Sequence, residues 1–280
     1  MKVKEVMTEN PIVAELPGTR TEVLKKLVKN NVTGLPVVRG EDGTLAGFVT
    51  RQDIFAKPDE EQLALVMRRD APTIGPNASV KDAARIMVDN SLGHLPVVEK
   101  NKLVGILTPT DLLIVVEKDN PQIAVEEIVR SPCIPIYFAA PLSVALATFR
   151  AARVNALPVL DDDAKLVGIL TDRDMFNQTI VDSSVVMSDL GISDDEDNWT
   201  WEGLRNVMKL WYEVSRVELP KLTVKDIMIK NPMTVFRKTL VGDAARIMRK
   251  HDFGQLPVRD SKDNLVAMIY DIDVVSTLTK

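Results

Sequence analysis

Apolar positions along this chain switch between two periods, and the switch recurs in four blocks. The second block shows the order most plainly. Thr73-Ile74 beside Pro72 reads as a short extended pair. Ser79 stands where a helix N-cap belongs, with Asp82 three residues on as a short-armed capping box. Ala83, Ala84, Met87 and Val88 then recur at helical spacing, and Gly93 is placed to close the helix with a positive φ. Apolar runs at 95–98 and 103–107 flank a polar turn and predict two strands, and Asp111 opens a second helix. The predicted unit is β-α-β-β-α.

Three markers repeat in register. Leu-Pro-Val occurs at 35–37, 95–97, 157–159 and 256–258. A proline precedes each central proline by 25, 24, 26 and 25 residues, and Asp53, Asp111, Asp174 and Asp273 follow at 17, 15, 16 and 16. Four copies in register indicate a repeat architecture. A unit of about 50 to 60 residues buries too little of its own surface to stand alone, so the units are expected to pair, sheet against sheet, into two modules. The fold class is therefore α/β (α+β), with repeats at 1–58, 59–120, 121–180 and 221–280 and an insertion at 181–220. Residues 182–197 carry six acids and no base, as in a solvated loop. Trp201, Leu204, Met208, Trp211 and Val214 predict an amphipathic helix over 201–219. That helix packs on its own module or offers a tryptophan-bearing surface to a partner.

Composition narrows the class. Among 280 residues, 35 Lys and Arg face 40 Asp and Glu, and a net charge of −5 argues against a nucleic-acid binder. The one cysteine, Cys133, forms neither an internal disulfide nor a cysteine-based metal site, and reads as a small buried apolar residue. No run reaches the length of a membrane span, and the charged start of the chain is unlike a signal peptide. A cytoplasmic protein is expected, with no metal and no membrane partner.

A Val/Ile-Met start (Ile128-Val129 in the third copy), a Leu-Pro-Val strand and a Gly-x-x-Thr-x-x-Asp end, repeated across the four copies, resemble the cystathionine-β-synthase (CBS) domain. Two such domains form a Bateman module. Four in one chain resemble the γ subunit of AMP-activated protein kinase and free-standing archaeal CBS proteins, which implies a disk-like, pseudo-symmetric array. The resemblance implies binding of an adenosine compound in clefts between paired repeats. It assigns the ribose hydroxyls to Asp53, Asp111, Asp174 and Asp273, and ribose or phosphate contacts to Thr50, Thr108 and Thr171. Phosphate-facing candidates are Arg51, Arg173 and His94. The base is assigned to Ile12, Val13, Ile74, Ile134 and Val235, which are core-like residues first. The chemistry is compatible, since one carboxylate can accept two hydroxyl donors. Thr-x-x-Asp is also an ordinary N-cap. The fourth copy departs from the pattern, with Ala267 for Gly and Tyr270 for Thr. Tyr270 is expected to block its cleft or stack on a base, and the acids Asp172 and Asp271 disfavour a polyphosphate.

No recognised nucleophile setting, P-loop or dinucleotide fingerprint is present, and four repeats leave no residues for a catalytic domain. The reading is a regulatory sensor, not an enzyme. It binds AMP, S-adenosylmethionine or methylthioadenosine, with ATP less suited, and signals to an unknown protein partner. A homodimer is compatible with this reading. The alternative is an interaction scaffold with degenerate clefts that holds its partner through the tryptophan-rich insertion.

Overall fold

The computed structural model describes residues 1–40, 43–57, 59–177, 180–189, 209–218 and 220–279. It carries the expected unit four times. In each unit a segment two to four residues beyond the early proline runs parallel to the Leu-Pro-Val strand: Ala14 faces Val37, Ile74 faces Val97, Ile136 faces Val159 and Val235 faces Val258. A helix crosses between these parallel segments in every case: Arg20–Lys29, Val80–Asp89, Leu142–Ala152 and Val241–His251. The Leu-Pro-Val strand then turns back antiparallel, as in Leu95–Glu99 against Lys102–Leu107. Lys100 and Asn101 make that turn, both with positive φ, which matches the right-handed twist of the hairpin. Ser79 caps its helix by accepting the Asp82 N–H at 3.1 Å. The far end differs from expectation. Leu92 N–H returns to Met87 O at 2.8 Å and Ser91 takes the left-handed turn at φ 51°, so the helix is closed before Gly93 is reached.

Each repeat sends a short arm to its neighbour. The turn Val3–Glu5 and the strand Thr8–Glu9 lie on the second repeat, with Val3 N–H on Ala78 O at 3.0 Å and Thr8 facing Ile106. The helix Leu63–Val66 returns the exchange, with Leu63 N–H on Gly18 O at 3.1 Å and Arg68 facing Phe48. Repeats 3 and 4 trade arms in the same way, through Val125 N–H on Thr239 O and Val224 N–H on Ala140 O, both at 2.9 Å. The pairs are therefore 1 with 2 and 3 with 4.

The exchange explains the strand glycines. A Cβ on Gly47 would lie 2.3 Å from the Arg68 carbonyl oxygen, one on Gly105 2.7 Å from Met7 Sδ, and one on Gly168 2.5 Å from Met228 Sδ. In the fourth repeat Ala267 takes this position, and the arm that serves it carries Val129 where the others carry Met7, Met67 and Met228. The extra methyl and the shorter arm side chain go together.

Apolar burial follows a different pairing from the arms. One core joins repeats 2 and 4, where Met87, Leu95, Leu113 and Val116 pack with Ala245, Met248, Leu256 and Val275. A second joins repeats 1 and 3, through Leu27, Leu35 and Ile54 with Leu157, Ala145 and Met175. Strands and arms thus build the two modules, and helices close them on each other into a ring of four.

The insertion corrects one expectation. Residues Lys209–Glu218 form a strand rather than part of a helix, antiparallel to Ile180–Asp189, which also removes 182–189 from the expected loop. Trp211, Tyr212, Val214 and Val217 are strand formers, Leu210, Tyr212 and Val214 recur with a period of two, and a valine-rich partner segment is available to pair with them. The remainder of the loop and of the amphipathic stretch, 190–208, lies outside the described residues.

Among the described residues no helix is long and apolar enough to cross a membrane.

Candidate functional site

Each motif aspartate sits at the third position of the last helix of its repeat, and each caps that helix. Thr50 Oγ1 and N–H donate to Asp53 Oδ2 at 2.6 and 2.9 Å. Thr108 does the same to Asp111 Oδ2 at 2.8 and 2.7 Å, and Thr171 to Asp174 Oδ2 at 2.7 and 2.9 Å. In the fourth repeat Tyr270 N–H donates to Asp273 Oδ2 at 3.0 Å. The N-cap role is therefore real in all four copies, and it uses one carboxylate oxygen. What distinguishes the clefts is the other oxygen.

Asp111 Oδ1 and Asp174 Oδ1 accept no hydrogen bond from any described residue. Burial raises the Asp111 carboxyl above its usual range, with the Thr108 hydrogen bonds opposing. At Asp53 the second oxygen is taken. Arg68 Nε donates to Oδ1 at 2.8 Å, and Arg68 Nη2 stands 3.5 Å from Thr50 Oγ1. At Asp273 the second oxygen accepts from Ser131 Oγ at 3.1 Å. Burial raises Asp273 too, against hydrogen bonds from Tyr270 and Ser131 and the charge of Arg130. Beside it Tyr270 is 7% exposed, packs with Ala156, Ile169 and Met268, and donates its hydroxyl to Ala156 O at 3.2 Å. The tyrosine fills the fourth cleft, with Cys133 against the same cluster.

The basic candidates divide. Arg51 is 1% exposed, so it does not face a cleft. Its guanidinium donates to Val32 O at 2.8 Å and lies 3.7 Å from Asp172 Oδ1 of the third repeat. Buried between modules, it serves the joint rather than a phosphate, which corrects its assignment. The matching joint of repeats 2 and 4 has Thr110 Oγ1 donating to Asp271 Oδ2 at 3.4 Å and Pro109 in place of an arginine. Burial pushes the Asp271 carboxyl up to about 7. His94 lies against Phe48, ring centres 4.9 Å apart and planes tilted by 33°, and shares a 2.7 Å hydrogen bond with Thr33. Burial, with Arg51 and Arg68 nearby, lowers it to about 4, so at neutral pH it offers no charge to a phosphate. Arg173 is half-buried and makes no ion pair with a described residue.

The base-facing candidates come from two registers. Ile74 and Val235 are the strand residues that face the Leu-Pro-Val valine, and both are core, at 7% and 3% exposed. Their burial accords with the core-like reading that came first for these positions. Ile12 and Ile134 sit two residues before that pairing position, and Val13 one before it. Ile12 is 40% exposed, Ile134 is half-buried, and Val13 gives its carbonyl to Lys26 Nζ at 2.9 Å. The equivalent of Ile12 in the fourth repeat is Met233, 41% exposed, which sequence reasoning missed. Arg68 was missed as well. Its signal is the place directly after the arm methionine, shared with Thr8 and Ile229.

Among the described residues no three His, Cys, Asp or Glu side chains are grouped to hold a metal.

The CBS domain family model matches residues 3–60, 62–118, 125–178 and 224–280. An uncharacterized protein of Methanocaldococcus jannaschii, MJ1225, is 29% identical over 191 residues, 62% of this chain and 68% of that protein. Two further proteins of that organism are matched over 47% and 39% of their own length. The crystal structure of MJ1225, described as an archaeal homologue of γ-AMPK, superposes with a TM-score of 0.77 at 18% identity, covering 99% of each chain. A conserved protein from Pyrococcus horikoshii gives a TM-score of 0.65 at 24% identity, over 99% of this chain and 100% of that one. The inosine-5′-monophosphate dehydrogenase of M. jannaschii is 29% identical over 169 residues, which are 60% of this chain and 32% of the enzyme.

Proposed function

The chain belongs to the CBS domain family, and from that premise we propose that it is a regulatory protein that binds an adenosine-containing ligand in the clefts of its paired repeats. The observation that carries the reading is the split use of the motif carboxylates. Asp111 and Asp174 spend Oδ2 on the helix cap and keep Oδ1 for a ribose hydroxyl. These two clefts are the ligand sites. Asp53 becomes a third when Arg68 leaves its carboxylate, and the Asp273 cleft stays filled by Tyr270. The modest positive charge around the clefts suits AMP, methylthioadenosine or S-adenosylmethionine better than ATP.

The signal runs through the joint between modules. Asp172 precedes Asp174 by two residues and pairs with Arg51 of the first repeat, so a ligand on Asp174 bears on the contact that holds module to module. A ligand that favours one arrangement of that joint shifts the population a partner protein reads.

Calorimetry on protein stripped of co-purified nucleotide tests the reading with AMP, ATP, methylthioadenosine and S-adenosylmethionine. Binding is expected, and Asp111→Ala and Asp174→Ala each weaken one site by about 1–3 kcal/mol through lost hydroxyl contacts. No heat from any of the four ligands ends the reading.

A further inference from the structure

The exchanged arms place one residue of each repeat beside the strand that leads into its partner's aspartate. By strand register these are Thr8 beside Ile106, Arg68 beside Phe48 and Ile229 beside Ile169. The position is equivalent in all three, and among these three only the first cleft receives a cation there; the fourth arm carries Arg130 after Val129, beside the Asp273 whose cleft Tyr270 fills. Arg68 lies across the cap, 2.8 Å from Asp53 Oδ1 and 3.5 Å from Thr50 Oγ1, with its side chain 54% exposed. The carboxylate is thereby fully engaged, one oxygen by threonine and one by arginine.

We propose that Arg68 makes the first cleft selective for adenosine ligands that carry a phosphate, the guanidinium exchanging Asp53 for the phosphate as the ribose takes Asp53. The inference rests on the reading of the clefts as adenosine sites. An uncharged nucleoside that claims Asp53 Oδ1 must break the ion pair and gives the arginine nothing in return. A phosphate returns a dianion with paired oxygens, which a guanidinium fork binds in two parallel hydrogen bonds. Phosphorylated ligand therefore replaces what it breaks. The arginine is half in solvent while Asp53 is 14% exposed, so the guanidinium can swing away and the selectivity is moderate, about tenfold. Thr8 and Ile229 bring no charge to the Asp111 and Asp174 clefts, and there the arm does not discriminate.

The test isolates the first cleft in the full chain carrying Asp111→Ala and Asp174→Ala, and measures AMP and adenosine by equilibrium dialysis. AMP is expected to bind about tenfold more tightly than adenosine. Adding Arg68→Met brings the ratio to about one, by weakening AMP and strengthening adenosine, and Arg68→Lys retains part of the preference. A ratio near one with Arg68 in place, or a ratio that Arg68→Met leaves unchanged, overturns the proposal. If the unmodified chain binds both ligands while the doubly substituted chain binds neither, the first cleft is not a site and this proposal alone falls. If the unmodified chain binds nothing, the functional reading falls with it.

Discussion

Gly47 and Gly168 occupy the same strand position, yet substituting them with alanine should have unequal consequences. At Gly47 the new Cβ would sit 2.3 Å from the Arg68 carbonyl oxygen, where ordinary contact begins at 3.4 Å. That oxygen also accepts the Phe48 N–H at 2.9 Å. The arm must retreat by roughly an ångström, and doing so strains or breaks the hydrogen bond that docks it. At Gly168 the nearest atom, 2.5 Å away, is Met228 Sδ, the end of a flexible side chain, and the Ile229 carbonyl oxygen is at 3.1 Å. Overpacking costs about 1–3 kcal/mol and a lost hydrogen bond about 1, offset by up to about 1 from the stiffer unfolded chain. Gly47→Ala should therefore destabilise by about 1–3 kcal/mol and Gly168→Ala by about 0–2, with Gly47→Ala the costlier by about 1. The Ala267 and Val129 combination of the fourth repeat suggests the remedy, and Met228→Val should recover at least half of the Gly168→Ala cost. Denaturant midpoints compared at constant slope measure all four chains. Equal costs at the two glycines, or a Met228→Val change that merely adds to Gly168→Ala, would refute the contact geometry.

The two inter-module joints respond to different perturbations. Asp271 keeps its proton in the folded chain up to about pH 7, whereas the unfolded chain releases it near 3.8. The stability this gives is complete below that lower value and is lost as pH rises through 7. Asp271→Asn should flatten that fall, measured as unfolding free energy at several pH values, and an unchanged profile would remove Asp271 from the account. Asp172→Ala leaves the Arg51 guanidinium, 1% exposed, without its carboxylate and should cost about 2–4 kcal/mol. Burial is the leading influence on both members of that pair, lowering Arg51 and raising Asp172. The double change Arg51→Met with Asp172→Leu should therefore return stability to within about 1 kcal/mol of the parent in thermal unfolding. A double variant as weak as Asp172→Ala would show that the pair itself holds the joint.

The local rules were legible because they are short-range. Leu-Pro-Val strands, the Ser79 cap and the hairpin turn at Lys100 and Asn101 each depend on a few neighbouring residues. The four Thr-x-x-Asp and Tyr-x-x-Asp caps were legible as well, since the pattern spans one helical turn. Contacts across long separations were not. That Gly47 is small because Arg68 crosses it, or that Ile74 pairs with Val97 while Ile12 lies two places off the equivalent register, follows only when strands are aligned in space. Arg51 illustrates the limit for the site. Its position after Thr50 fits a phosphate contact by motif, but the ring closure turns it to Asp172, more than a hundred residues away. In 209–218 two periods compete over the same tryptophan, tyrosine and valines, and the partner strand decides for the strand.

The ring depends on its halves being joined. Repeats 1 and 2 share strands and arms but lay their helices against repeats 3 and 4. A chain half this long would carry bare oily flanks, and a second copy would cover them only where concentration lets the two meet. In one chain the halves are tethered, so that meeting no longer depends on concentration. The two joints also need not match, and here one holds a buried arginine where the other has a proline.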